Sequence, residues 1–178
     1  MRARPPFMPA GDSSNSRAGL LERIQVLVEP LLALAAPVFR WQPGAPAPDC
    51  DAIGYALQSR WTKPPRRTTV YVATRKSVSQ YGGKGPGGLR MRLQATHDLH
   101  VGAVYLRYLR DDPAAAAAWV GEDVRGKAGH RLKDPDAILL GPDGRTRRVV
   151  EFGGRYDARR VRDFHEHCSR FGLSYELW

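Results

Sequence analysis

The stretch from Lys133 to Gly154 constrains the fold most. It holds two apolar runs, Ala137-Ile138-Leu139-Leu140 and Arg148-Val149-Val150-Glu151-Phe152, separated by Gly141-Pro142-Asp143-Gly144. Runs this short, bounded by turn residues, read as two strands that pair through the turn. Asp136 opens the first strand and Glu151 closes the second, so pairing brings both carboxylates to one end of a hairpin. A helix follows from Ala158 to about Arg170, capped by Asp157 and stopped by Gly172, with Val161, Phe164, Cys168 and Phe171 on its apolar stripe. Leu173 to Trp178 read as a last strand. Ahead of the hairpin, Thr96 caps a helix that carries Leu99, Val101, Val104, Tyr105 and Tyr108 on one face. Helix, two or three strands, helix, strand makes residues 96–178 a small α/β (α+β) unit.

The net charge of +10 is unevenly placed. No acid occurs between Asp51 and Asp98, while Arg60, Lys63, Arg66, Arg67, Arg75, Lys76, Lys84, Arg90 and Arg92 all fall there. A one-signed segment of this kind is the electrostatic footprint of a polyanion partner, most often nucleic acid. The plainer reading is a solvated face.

Residues 1–18 are rich in Pro, Ser and Arg and read as a disordered tail. From Gly19 the spacing of Leu20, Ile24, Leu27, Val28, Leu31 and Leu32 predicts a helix, kinked or divided by Pro30. A second helix, capped by Asp49 or Asp51, carries Ile53, Ala56, Leu57 and Trp61. Thr68 to Thr74 form a strand, Gly82 to Gly88 a turn, and Leu89 to Leu93 a return strand. Helices followed by a basic, glycine-tipped hairpin describe a winged-helix-like domain over 19–95. Gln58, Ser59, Arg60 and Lys63 then lie at the end of the recognition helix, and Arg66, Arg67, Arg75, Lys76 and Lys84 contact phosphate from the wing. Arg159 and Arg160 in the first turn of the last helix oppose its dipole, a placement that suits a phosphate partner.

The order of elements over 96–178, with Pro135-Asp136 before one strand and Glu151-Phe152-Gly153 at the end of the next, resembles the PD-(D/E)xK nuclease superfamily. With the basic segment ahead of this restriction-endonuclease-like domain, and Thr96-His97-Asp98-Leu99-His100-Val101 at the junction, the chain resembles the replication-relaxation family of plasmids and mobile elements. The resemblance implies that Asp136 and Glu151 ligate magnesium, with Glu122 or Asp98 as a further acid. It also implies a lysine two residues past the glutamate, a compact positive charge on the scissile phosphate. That position is Gly153, so a displaced cation must replace it, with Lys133, Arg148 and Arg155 nearby. The candidate catalytic set is therefore Asp136, Glu151, Lys133 and Arg155. The expected function is DNA binding on a mobile element with a degenerate nuclease-like domain. Two alternatives stand beside it: an active magnesium-dependent DNA endonuclease, and a transcriptional or replication regulator with a non-catalytic C-terminal domain.

His97 with His100, and His165 with Cys168, lie three apart on two helices and would supply four zinc ligands if those helices packed together. Core or surface histidines are the simpler reading. Two cysteines cannot make a disulfide framework, and the apolar run from Ile24 to Phe39 is too short to span a bilayer. The expected setting is cytoplasmic, with no membrane partner and a homodimer left open.

Overall fold

The computed structural model describes residues 19–81, 94–122, 124–125 and 134–178. The hairpin forms as expected. Strands β5 (Ala137–Leu140) and β6 (Thr146–Glu151) pair antiparallel, with Ala137 opposite Val150 and Ile138 opposite Val149. Gly144 closes the turn at φ 76°, a left-handed conformation that costs any side chain roughly 1 kcal/mol. Strand β4 (Trp119–Gly121) pairs antiparallel with β5, and β7 (Tyr175–Leu177) lies parallel to β6. A parallel pair cannot be joined by a tight turn, and α5 (Ala158–Arg170) makes the crossover. Asp157 caps α5, accepting Arg160 N–H at 2.8 Å. Strand β2 (Phe39–Trp41) pairs antiparallel with β7 and completes a sheet of order β2-β7-β6-β5-β4.

Both faces of this sheet are covered, because successive strand residues point to opposite sides. Ala137, Leu139, Val150, Phe152 and Trp178 pack with Val104 and Tyr108 of α3 (Ala95–Asp111) and with Ala115 and Ala116 of α4 (Pro113–Ala117). Val149, Tyr175 and Leu177 pack with Ile53 and Leu57 of α1 (Cys50–Ser59) and with Val161, Phe164 and Cys168 of α5. Each fully buried large side chain, such as Leu57, Leu139 or Phe164, contributes about 1.5–3 kcal/mol of transfer free energy. A second sheet has two strands, β1 (Leu21–Val28) and β3 (Arg66–Ala73), and α2 (Arg75–Tyr81) follows β3. The described residues thus hold five helices and two sheets, a mixed α+β fold as the sequence indicated. No helix among them is long and apolar enough to cross a membrane.

The N-terminal half departs from the expected winged helix. Residues 21–28 form a strand, not a helix. Val26 and Val28 are buried while Leu21, Arg23, Gln25 and Leu27 are exposed, a period of two that the β-branched residues favour. The leucine spacing fits a helix equally well, and the pairing with β3 decides between the two. Arg75 and Lys76 begin helix α2 and are not in a hairpin, and β3 pairs with β1. The expected Gly82–Gly88 turn and Leu89–Leu93 strand lie outside the described residues, as does the 1–18 tail. Helix α1 does form, capped by Asp49, which accepts Ala52 N–H at 2.9 Å. Its buried residues include Gly54, where a Cβ would stand 2.7 Å from Ala158 N, so α1 meets the start of α5 backbone to backbone.

The division of the chain follows from the way its elements pack. Of the described residues, 19–25 and 69–81 belong to one compact unit and the remainder to the other. The expected boundary at 95 does not appear, because residues 26–68 supply β2 and α1 to the same unit as the five-stranded sheet.

Candidate functional site

Asp136 and Glu151 come together as the hairpin requires. Asp136 N–H donates to Glu151 Oε2 at 3.3 Å, and Phe152 N–H donates to Asp136 Oδ2 at 2.6 Å. Both carboxylates are buried, at 7% and 4% exposure, so each oxygen calls for a hydrogen-bond donor. The remaining oxygens have them. His97 Nε2 lies 3.0 Å from Asp136 Oδ1, and the Tyr156 hydroxyl donates to Glu151 Oε1.

His97 is the cation of the site. It sits in the first turn of α3, with Nδ1 3.4 Å from Asp98 Oδ1 and Nε2 on Asp136. Both ring nitrogens face carboxylate oxygens, so both carry protons. The bond to Asp136, with Asp98 behind it, pushes the His97 pKa from 6.5 up to about 10. His100, one turn on, is its opposite. Fully buried, it donates from Nδ1 to Thr96 O at 2.6 Å and accepts Leu32 N–H on Nε2 at 3.0 Å. That pattern fits the neutral ring, and burial pushes its pKa down. It stacks on Phe152 with centroids 4.6 Å apart. Thr96, expected as a cap, stands inside α3, and its hydroxyl accepts Glu29 N–H at 3.0 Å.

Tyr156 reaches Glu151 because the chain doubles back at Gly153-Gly154. Gly154 adopts φ 51° and Tyr156 N–H donates to Gly153 O at 2.7 Å. Burial and the Glu151 carboxylate push the tyrosine pKa well above its usual value. The carboxylate pair thus ties the ends of β5 and β6 to α3 through His97 and to the segment ahead of α5 through Tyr156.

The other expected site residues divide sharply. Glu122 N–H donates to Asp136 O at 2.9 Å, which aligns the two residues across β4 and β5, and the Glu122 side chain is exposed. Arg155 reaches Glu29 Oε1 at 2.8 Å and lies 5.1 Å from the Trp61 ring centroid. Arg148 reaches Glu176 Oε1 at 2.9 Å. Both replacement cations are thus engaged with other acids. Lys133 and Lys84 lie outside the described residues. Arg60 is corrected from a DNA contact to a packing residue: half-buried, it donates to Trp178 O at 3.1 Å and lies over the Phe152 ring. Lys63, Arg66, Arg67, Arg75 and Lys76 are exposed. Arg159 is exposed, 3.9 Å from Asp163, and exposed Arg160 lies over the Tyr156 ring.

The space beside Gly153 is filled by Leu57. A Cβ on Gly153 would stand 2.9 Å from Leu57 Cδ1 and 3.1 Å from Cδ2, and Leu57 is fully buried. A side chain at 153 would begin in the α1–α5 core.

Asp136 and Glu151 would supply the oxygens for a magnesium ion, in competition with the donors they already have. Magnesium binds one or two carboxylates and keeps several waters in octahedral order. Here each of the four carboxylate oxygens already has at least one protein donor, and the charge beside Asp136 is a histidinium. Among the described residues no group of three or more His, Cys, Asp and Glu side chains could hold a metal. The zinc set does not converge either, because α3 with His97 and His100 and α5 with His165 and Cys168 cover opposite faces of the sheet.

Spacing alone concealed a third buried acid, Glu176. It is fully buried in β7 and receives Tyr108 Oη, Trp178 Nε1 at 3.0 Å, Arg40 Nε at 3.0 Å and Arg148 Nη1 at 2.9 Å. The signal was an acid between Tyr175 and Leu177 in an apolar strand with arginines at 40 and 148. Comparison of the chain with protein-family models, curated proteins and solved structures gives no match.

Proposed function

We propose that the protein binds DNA on a plasmid or mobile element and that its nuclease-like domain does not cleave. The observation that carries the reading is the acid-free tract between Asp51 and Asp98, whose cations Lys63, Arg66, Arg67, Arg75 and Lys76 are exposed. Exposed cations without neighbouring acids release counterions from a phosphate backbone, which is the main source of affinity for nucleic acid. The mobile-element setting rests on the resemblance to the replication-relaxation family.

The element order of 95–178 supports the nuclease-like part: two helices, three antiparallel strands, a crossover helix and a parallel strand. Asp136 precedes the second of the three strands and Glu151 ends the third. The loss of cleavage is supported by Gly153 against Leu57 and by the engagement of Arg148 and Arg155 with other acids. In this reading the acid pair keeps its place as a polar tie between strands.

The test is DNA affinity measured against salt. The wild-type protein gives a steep negative slope of log K on log salt. The combined Arg66→Ala, Arg67→Ala, Arg75→Ala and Lys76→Ala variant gives a slope shallower by roughly 0.7–0.9 for each phosphate it no longer neutralises. Unchanged affinity and slope in that variant overturn the reading.

A further inference from the structure

We infer that the exposed face of the β1–β3 sheet takes single-stranded nucleic acid, with Tyr71 stacking on a base and Arg23 beside it on phosphate. This rests on the DNA-binding reading and names the form of nucleic acid recognised.

The register places these two residues together. Thr74 N–H donates to Leu20 O at 2.9 Å, and Gln25 Nε2 donates to Thr69 Oγ1 at 2.6 Å. One strand advances five residues while the other retreats five, so the strands run antiparallel and Arg23 stands opposite Tyr71. Alternation then assigns the faces. Leu21, Arg23 and Gln25 share a side with Thr69, Tyr71 and Ala73, whereas Val70 points the other way and is buried. Glu22, the one acid among described residues 19–25 and 69–81, falls on the opposite side by the same alternation.

Tyr71 is 64% exposed, with a cation directly across the sheet. An aromatic ring left in water on a strand, flanked by positive charge, offers a base a stacking surface and its phosphate a counter-charge. Duplex DNA hides its base faces in the stack and cannot use such a ring. Helix α1, the expected recognition helix, carries Asp51 and no lysine or arginine. Positive charge continues along the chain in both directions from Tyr71. Arg66 and Arg67 open β3, and Arg75 and Lys76 open α2.

The experiment compares three fluorescent 20-mers by anisotropy: oligothymidine, oligouridine and a mixed-sequence duplex. At least one single strand binds more tightly than the duplex. Tyr71→Ala loses about tenfold on that strand, the lower range for stacking on one base, while Tyr71→Phe keeps wild-type affinity. Thymidine against uridine separates DNA from RNA as the source of the same chemistry. Circular dichroism melting checks that Tyr71→Ala stays folded. Tighter duplex binding, or an unchanged Tyr71→Ala, overturns this inference and leaves the DNA-binding proposal intact. Binding to none of the three overturns both. A concentration-dependent dimer dispersed by Leu21→Ser, without single-strand binding, assigns the face to a second copy of the chain and also overturns the inference.

Discussion

Gly153 and Leu57 are in contact so close that the first carbon of any side chain at 153 would press on the Leu57 methyls, at 2.9 and 3.1 Å. The residue two past Glu151 faces α1, and Leu57 fills the space where a side chain would start. The glycine at 153 is thus a matter of packing. Gly153→Lys is expected to confer no magnesium-dependent cleavage and to destabilise the fold by about 1–3 kcal/mol through overpacking. Urea unfolding and a nicking assay check both. A variant as stable as wild type that cleaves DNA contradicts the account.

Divalent cations should leave stability unchanged. A ligand that binds only the folded state raises the melting temperature in proportion to the logarithm of its concentration. Because His97 and three other protein donors satisfy the Asp136–Glu151 oxygens, melting in millimolar magnesium should match melting in EDTA. A rise of several degrees with magnesium, absent from Asp136→Ala, would show that the acids hold the metal.

The His97–Asp136 pair predicts a pH dependence of definite sign. The folded pKa of His97 is raised from 6.5 to about 10, so protons bind the folded state more tightly. Its stabilisation is complete below pH about 6.5, declines across the window up to about 10, and is gone above it. His97→Gln should therefore lie furthest below wild type near pH 6 and converge with it near pH 10. Urea unfolding across that range is the measurement, and a gap that widens with pH contradicts the pairing.

Glu176 should be the most sensitive acid in the chain. Glu176→Ala leaves Tyr108 and Trp178 without their buried acceptor and the part-exposed Arg148 without its partner, a loss of about 1–3 kcal/mol. Glu176→Gln keeps one acceptor oxygen and should fall between. Thermal melts give the order wild type, Gln, Ala; an Ala variant as stable as wild type refutes the network.

The sequence was legible where local periodicity and capping decide the outcome. Helix α5 runs from Ala158 to Arg170 behind its Asp157 cap, and the 137–151 hairpin carries its acids to one end. It was illegible where two periods fit one stretch, as in 21–28, where leucines spaced for a helix compete with valines spaced for a strand. Tertiary partners were harder still. His97 belongs to Asp136 and not to His100 because α3 lies over the end of the hairpin, a relation that no spacing encodes. Position at the end of α1 makes Arg60 a DNA contact by sequence, and its half-burial against Phe152 and Trp178 follows from packing alone.

Supercoiled plasmid DNA offered to the protein in magnesium or manganese separates binding from cleavage. The expected result is retarded DNA that remains supercoiled, with retardation weakened by salt and by alanine at Arg66, Arg67, Arg75 and Lys76. Nicked or linear product that disappears in both Asp136→Ala and Glu151→Ala would contradict it and make the buried pair an active centre.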